Sequence, residues 1–302
     1  ALDAYAWIPA RLISSAGRNN KVPLWEMAVR QWRVGSAIAR FRPEAVVSLM
    51  GTYTQTASLF SAPNLVFTDS EFQTTAHAIA HPFASRIYTP ACFAKNLGPK
   101  QVRYAGYHEL AFLHPRYFTP NPEVFRHLDG AKEGEYIVLR LSAWDTLHDI
   151  GERGIAGHLD KVITELTART RVFIVPEKGV DLGALERYRL RIPPQLFHDA
   201  LAFARLVVSE GASTVSEAGC LGVPAIYVNS TSRSYLEDQE HRYGLVHNFR
   251  SSQEALGNVL SLLDNPPKPE WLRAQRERLV AEHIDVTEFL VNEIDRRRTY
   301  IG

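Results

Sequence analysis

Gly211, Ser213, Thr214 and Glu217 stand at a spacing that could hold a phosphorylated sugar. A glycine turn leading into a helix aims main-chain N–H groups and the positive end of the helix dipole at whatever lies before it, which suits phosphate. A carboxylate one turn further in, here Glu217, can accept hydrogen bonds from sugar hydroxyls. Thr214 and Glu217 also fit a capping box, whose two side chains only close a helix end, and spacing alone leaves both readings open.

The elements that must position these residues are legible around them. LVV at 206–208 reads as a buried parallel strand, and SEGA at 209–212 breaks it. The apolar spacing at 213–221 turns helical, Gly222 and Pro224 stop that helix, and AIYV at 225–228 is the next strand. The turn therefore sits at the carboxyl end of a strand, where open α/β sheets bind ligands.

Other candidates follow the same logic. YIVLRL at 136–141 is a strand that carries Arg140 among apolar residues, with Ser142 opening the loop SAWDTLHDIG. An arginine so placed calls for an anionic partner, and a diphosphate would serve. Asp69 and Glu71 follow the strand at 64–68 and could supply a general base for an acceptor hydroxyl; Asp69 or Ser70 could equally cap the next helix. His77 and His81 stand at i, i+4, a metal-ligand spacing without a third ligand to match. They are read as surface or helix-face histidines, and no metal site is expected. YAGYHELAFLHP at 104–115 reads as the crossover between domains: Gly106 turns, Tyr107 packs the hinge, and His108 and Glu109 are candidates for substrate contact.

Beyond these, the pattern predicts helices at 25–41, 157–168, 195–204, 251–263, 271–283 and 286–298. It predicts strands at 45–50, 86–89, 101–104, 171–175, 188–192 and 245–249, with a polar turn at 51–56. Strands alternating with helices mean parallel sheets. The 302 residues suit two domains, and a 45% hydrophobic fraction is enough to build their cores. With 34 Lys plus Arg against 33 Asp plus Glu, the chain lacks the basic excess of a general nucleic-acid binder. The two cysteines, Cys92 and Cys220, have no metal spacing and suit a reducing cytoplasm. No apolar run reaches the ~20 residues that span a bilayer, and no signal peptide is visible. Ala1 enters what reads as a helix end, ALDAYAW, so a first strand–loop–helix is expected to be missing.

GASTVSEAGCLGVPAIYV resembles the donor-site motif of glycosyltransferases of the GT-B fold, above all the transferase that adds N-acetylglucosamine to the lipid-linked precursor of peptidoglycan. FTDSE, YTPACF, YAGYHELAFLHP, VLRLSAWDTLHDIG, YRLRIPP and YLEDQEHRYGL extend the likeness along the chain. Together they resemble a functionally uncharacterised bacterial and archaeal family described as predicted glycosyltransferases, itself distantly similar to non-hydrolysing UDP-N-acetylglucosamine 2-epimerases. The resemblance implies an α/β chain of the GT-B class: two Rossmann-like domains whose parallel sheets face each other across a cleft. The domains would be 1–106 and 107–285, with a helix at 286–302 crossing back to the first.

In the N-acetylglucosaminyltransferase family that the donor-site motif resembles, the glycine turn faces the diphosphate and the glutamate grips the ribose, which carries over to Gly211, Ser213, Thr214 and Glu217. The loop at 229–243 resembles the sugar-contacting loop of the same transferases, with Ser230, Thr231, Ser232, Tyr235, Glu237 and Gln239 as candidates. The nucleobase would lie near 195–204, where Phe197 is read as core. The related N-terminal loop often supplies the catalytic base, so the base is left open between that loop and Glu71, Asp69 or His108. The implied activity is metal-independent, inverting transfer from a UDP-sugar, with UDP-N-acetylglucosamine considered first and no cofactor besides the donor. The acceptor is open, with lipid-linked, membrane-associated and surface-polysaccharide molecules as candidates, and so is the oligomeric state. The expected location is cytoplasmic or peripheral at the inner face of the membrane. The alternatives are a UDP-sugar 2-epimerase and a non-catalytic nucleotide-sugar binder.

Overall fold

The computed structural model describes residues 24–141, 156–177 and 180–298. Ser142, Trp144, His148 and Asp149, and the helix end expected at 1–7, lie outside the described residues. The chain divides into two compact units, Ala1–His108 with Ile284–Gly302, and Glu109–His283.

The first unit runs α1 (Leu24–Phe41), β1 (Val46–Leu49), α2 (Thr54–Ala57), β2 (Asn64–Phe67), α3 (Thr74–Ala80), β3 (Arg86–Pro90) and β4 (Gln101–Tyr104). Its strands form a parallel sheet in the order β1-β2-β3-β4. NLVF of β2 is buried throughout, as a strand covered on both faces should be. Helix α2 occupies part of the stretch expected as a polar turn. The buried Thr54 explains it: its Oγ1 lies 2.9 Å from the carbonyl oxygens of both Gly51 and Ala80, so the hydroxyl ties the turn to the end of α3. The last helix, α11 (Val286–Arg298), belongs to this unit. Ile284 N–H donates to Ala105 O (2.8 Å), and Tyr88 O–H donates to Glu293 Oε2 (2.8 Å). Phe289 packs on Tyr88 and Tyr104 with ring centroids 5.8 and 5.5 Å away. A Cβ on Gly106 would come 2.6 Å from Val286 Cγ2, so the residue there must be glycine for the strand end and helix to approach this closely.

The second unit contains α4 (Leu110–Leu113), β5 (Tyr136–Leu141), α5 (Ala156–Thr167), β6 (Arg171–Pro176), α6 (Phe197–Ala202), β7 (Leu206–Ser209) and α7 (Ala212–Leu221). It continues with β8 (Ala225–Val228), α8 (Ser234–Tyr243), β9 (Val246–Phe249), α9 (Ser252–Asp264) and α10 (Pro269–Ala281). Its five strands are parallel in the order β6-β5-β7-β8-β9. Ile137, Leu139, Ile174, Leu206 and Ile226 of the sheet pack with Ile163 and Leu166 of α5 and Val259 and Leu263 of α9.

Two expectations fail here. The strand predicted at 188–192 makes a single rung, Ile174 with Arg189, closed by Leu190 N–H to Ile174 O (2.8 Å). A 3-10 turn, Gly183–Tyr188, precedes it, and Pro193 and Pro194, which have no N–H to give a ladder, follow. The helix predicted at 195–204 is a 3-10 turn, Pro194–Leu196, continued by the shorter α6.

Candidate functional site

In the second sheet β5 lies between β6 and β7, so successive connections leave its two sides in opposite directions. Such a reversal opens a crevice beyond the carboxyl ends of the two central strands. Arg140, near the end of β5, is paired in register with Ser209, the last residue of β7. The turn that follows is closed by its own side chain: Gly211 N–H donates to Ser209 Oγ (2.9 Å), and Glu210 N–H donates to Arg140 O (3.3 Å).

Gly211 is the N-cap of α7, with φ −90° and ψ 116°, and no side chain caps the helix. The capping-box alternative is thereby excluded. Thr214 is the third helical residue, fully buried, and its Oγ1 accepts a hydrogen bond from Arg140 Nη1. Glu217 is the sixth, beyond the place from which a capping-box carboxylate returns to the N-cap. No side chain among the described residues caps the main-chain N–H groups of the first turn. Among the described residues Arg140 has no carboxylate partner.

A cleft of about 500 Å³ opens over this end of the sheet. Arg140, Glu177 and Glu217 are its charged lining residues, and Leu190, Ile192 and Phe197 supply an apolar wall. Phe197 is therefore a half-buried lining residue rather than the core residue expected. The Glu217 side chain is 13% exposed; His198 Nε2 lies 3.5 Å from its Oε1. Among the described residues its buried Oε2 has no hydrogen-bond partner. Leaving such an oxygen unmet costs about 1–3 kcal/mol.

Of the other candidates in this unit, Ser213 is exposed on the first turn of α7. Tyr235 is buried in α8 and Glu237 is exposed in its first turn; neither is among the described residues that line the cleft. Gln239 is fully buried and donates Nε2 to Ser216 Oγ (2.7 Å), which takes it out of the sugar-contacting set. Asn229 Nδ2 donates to Glu210 O (3.3 Å) and so ties the loop after β8 to the turn after β7.

In the first unit, neither Asp69 nor Ser70 caps α3, whose N-cap is Gln73 with no side-chain bond. Glu71 is buried and pins a loop: its Oε1 accepts from Ala94 N–H (3.2 Å), and its carbonyl accepts from Lys95 Nζ (2.7 Å). Asp69 is half-buried, and its charge acts on the half-buried His108. Burial pushes the His108 imidazole below its ordinary range and Asp69 opposes that, so the ring is neutral at neutral pH. His77 and His81 are not surface residues. Both are buried, with rings stacked 4.4 Å apart. Burial, then the neighbouring His77, lowers His81 to about 4. Among the described residues no group of three His, Cys, Asp or Glu is placed to hold a metal ion, and no helix is long and apolar enough to cross a membrane.

His198 and Phe197 carry no motif signal. The clue available in sequence is their place at the start of the helix that leads into β7, next to the glycine turn.

No protein-family model and no curated protein matches the sequence. Solved structures do match the fold. One is S. aureus MnaA with UDP: TM-score 0.67 and 12% identity over 91% of this chain and 81% of that one. Another is the UDP-GlcNAc 2-epimerase of Neisseria meningitidis bound to UDP-GlcNAc, with TM-score 0.67, 12% identity and coverage of 93% and 84%. A third is the glycotransferase of kitacinnamycin, with TM-score 0.54, 13% identity and coverage of 94% and 85%. These likenesses establish the fold, an α/β chain with two parallel sheets of the GT-B class.

Proposed function

We propose that the chain is a nucleotide-sugar enzyme of the GT-B class that binds UDP-sugar in the cleft of the second unit and transfers the sugar to an acceptor hydroxyl. The observation that carries this is Glu217 Oε2, a buried oxygen that has no partner among the described residues, set beside an uncapped helix end and an arginine that has no acidic partner among them. In this reading the first-turn N–H groups of α7 and the Arg140 guanidinium meet the diphosphate. Glu217 accepts from the ribose, and the apolar wall with Phe197 takes the uracil. Preorganised donors at the diphosphate stabilise the charge that grows on departing UDP, which makes it a competent leaving group. The candidate base for the acceptor hydroxyl is His108 of the first unit, a neutral imidazole with the charge of Asp69 acting on it.

A second reading, epimerisation at C2 of UDP-N-acetylglucosamine, is favoured by one observation: the neighbour named as such an epimerase matches at TM-score 0.67, against 0.54 for the glycotransferase. Incubation of the protein with UDP-N-acetylglucosamine labelled in the sugar, with and without cell-envelope extract, separates the two. Transfer predicts label moving to acceptor only when extract is present, with no C2 epimer in its absence. Appearance of the epimer without acceptor would replace the transfer reading by the second.

A further inference from the structure

Resting on the ribose role of Glu217, we infer that His198 is the positioning residue that gives this site its selectivity for a ribose diol. A glutamate has three side-chain torsions, and in an open cleft it discriminates between ligands only if one rotamer is held. The one side chain paired with the Glu217 carboxylate among the described residues is His198, with Nε2 3.5 Å from Oε1. His198 is itself held. Phe112 of α4, Phe118 just beyond it and Phe197 beside it in α6 place their ring centroids 5.3, 6.2 and 5.9 Å from the imidazole. The rings come from two stretches of the second unit, 112–118 and the helix of His198 itself, so the imidazole is braced from more than its own helix. It lies 3.5 Å from Oε1, while Oε2 is buried without a hydrogen-bond partner among the described residues. The imidazole acts through Glu217, not on the nucleotide.

The test compares UDP with 2′,3′-dideoxy-UDP, which differ only in the two hydroxyls, by calorimetry on the full chain. The wild type is expected to prefer UDP by about tenfold or more, the worth of a charge-assisted hydrogen bond. His198→Phe keeps an aromatic ring in the brace but has no polar nitrogen; it should lose most of that preference while its affinity for dideoxy-UDP stays the same. His198→Gln returns a polar nitrogen to this position and should restore the preference. Thermal melting of both variants reports whether they fold, and His198→Leu serves if the phenylalanine does not. An unchanged preference in the ring-preserving variant overturns the inference and leaves the Glu217 reading standing. So does an equal loss of affinity for both nucleotides, the mark of a merely structural residue. A wild type with no preference overturns both.

Discussion

Gln239 holds its amide against the bare backbone of Gly219: a Cβ on that glycine would lie 2.3 Å from Gln239 Oε1 and 3.0 Å from Val246 Cγ2. The same amide donates Nε2 to Ser216 one turn earlier in α7. The contact fixes α8 against the helix that carries Thr214 and Glu217. Gly219→Ala should therefore destabilise the protein. Overpacking costs about 1–3 kcal/mol, more than the ~1 kcal/mol that alanine gains over glycine in a helix. Gly257→Ala, in the middle of α9 with nothing within 4 Å of its Cβ, should raise stability by about 0.5–1 kcal/mol. Urea denaturation of the two variants should move in opposite directions; if both move up, the packing account of Gly219 is wrong.

Glu217→Ala should weaken UDP binding by about 1.5–3 kcal/mol, the range for a hydrogen bond to a charged group. Its effect on the melting temperature of the unliganded protein should be small, because losing the His198 contact at Oε1 is offset by removing a buried Oε2 that has no partner among the described residues. Calorimetry and a melting curve check the two halves separately. Unchanged UDP affinity in a folded variant would rule out the ribose role.

Arg140→Met separates phosphate from nucleoside. The guanidinium meets Thr214 and faces the cleft at the diphosphate end of the proposed site. The variant should bind UDP about 10–100-fold more weakly and uridine unchanged. An equal loss for both ligands would mean that Arg140 supports the sheet rather than the phosphates.

Acid stability should report the buried histidine pair. His81 stands at 6.5 when unfolded and at about 4 when folded, so between these values the unfolded chain binds the extra proton. Stability is then complete above 6.5 and falls as pH drops through that window. His77, lowered chiefly by burial and next by Lys95, adds to the same slope. The urea midpoint measured from pH 7 to pH 4 should fall, and His81→Phe should flatten the fall. A wild-type midpoint that rises on acidification would contradict the burial of these rings.

The parts of this architecture that follow from turn chemistry and apolar runs are legible in the sequence. SEGAS breaking LVV and a glycine stopping α7 suffice to place the strand, the turn and the helix; Gly222 adopts φ 82°, as a left-handed helix end does. Residues whose role depends on partners distant in sequence are not legible. Thr214-x-x-Glu217 reads as a cap until the register of β5 brings Arg140 to Thr214. Gln239 reads as a sugar contact until α8 presses it onto Gly219. His77 and His81 have a surface-like spacing, and only the closure of α3 against its neighbours buries them. The apolar alternation of YRLRI at 188–192 resembles a strand, yet the prolines that follow leave it one rung.

The return of α11 to the first unit has a bearing on synthesis. Glu109–His283 is a single uninterrupted stretch, so this unit can complete its sheet as soon as it leaves the ribosome. The earlier-made unit must wait: Tyr88 and Tyr104 stay without their Phe289 and Glu293 covering until the last helix emerges. The unit begun first in translation is thus the one whose last packing contact is made latest.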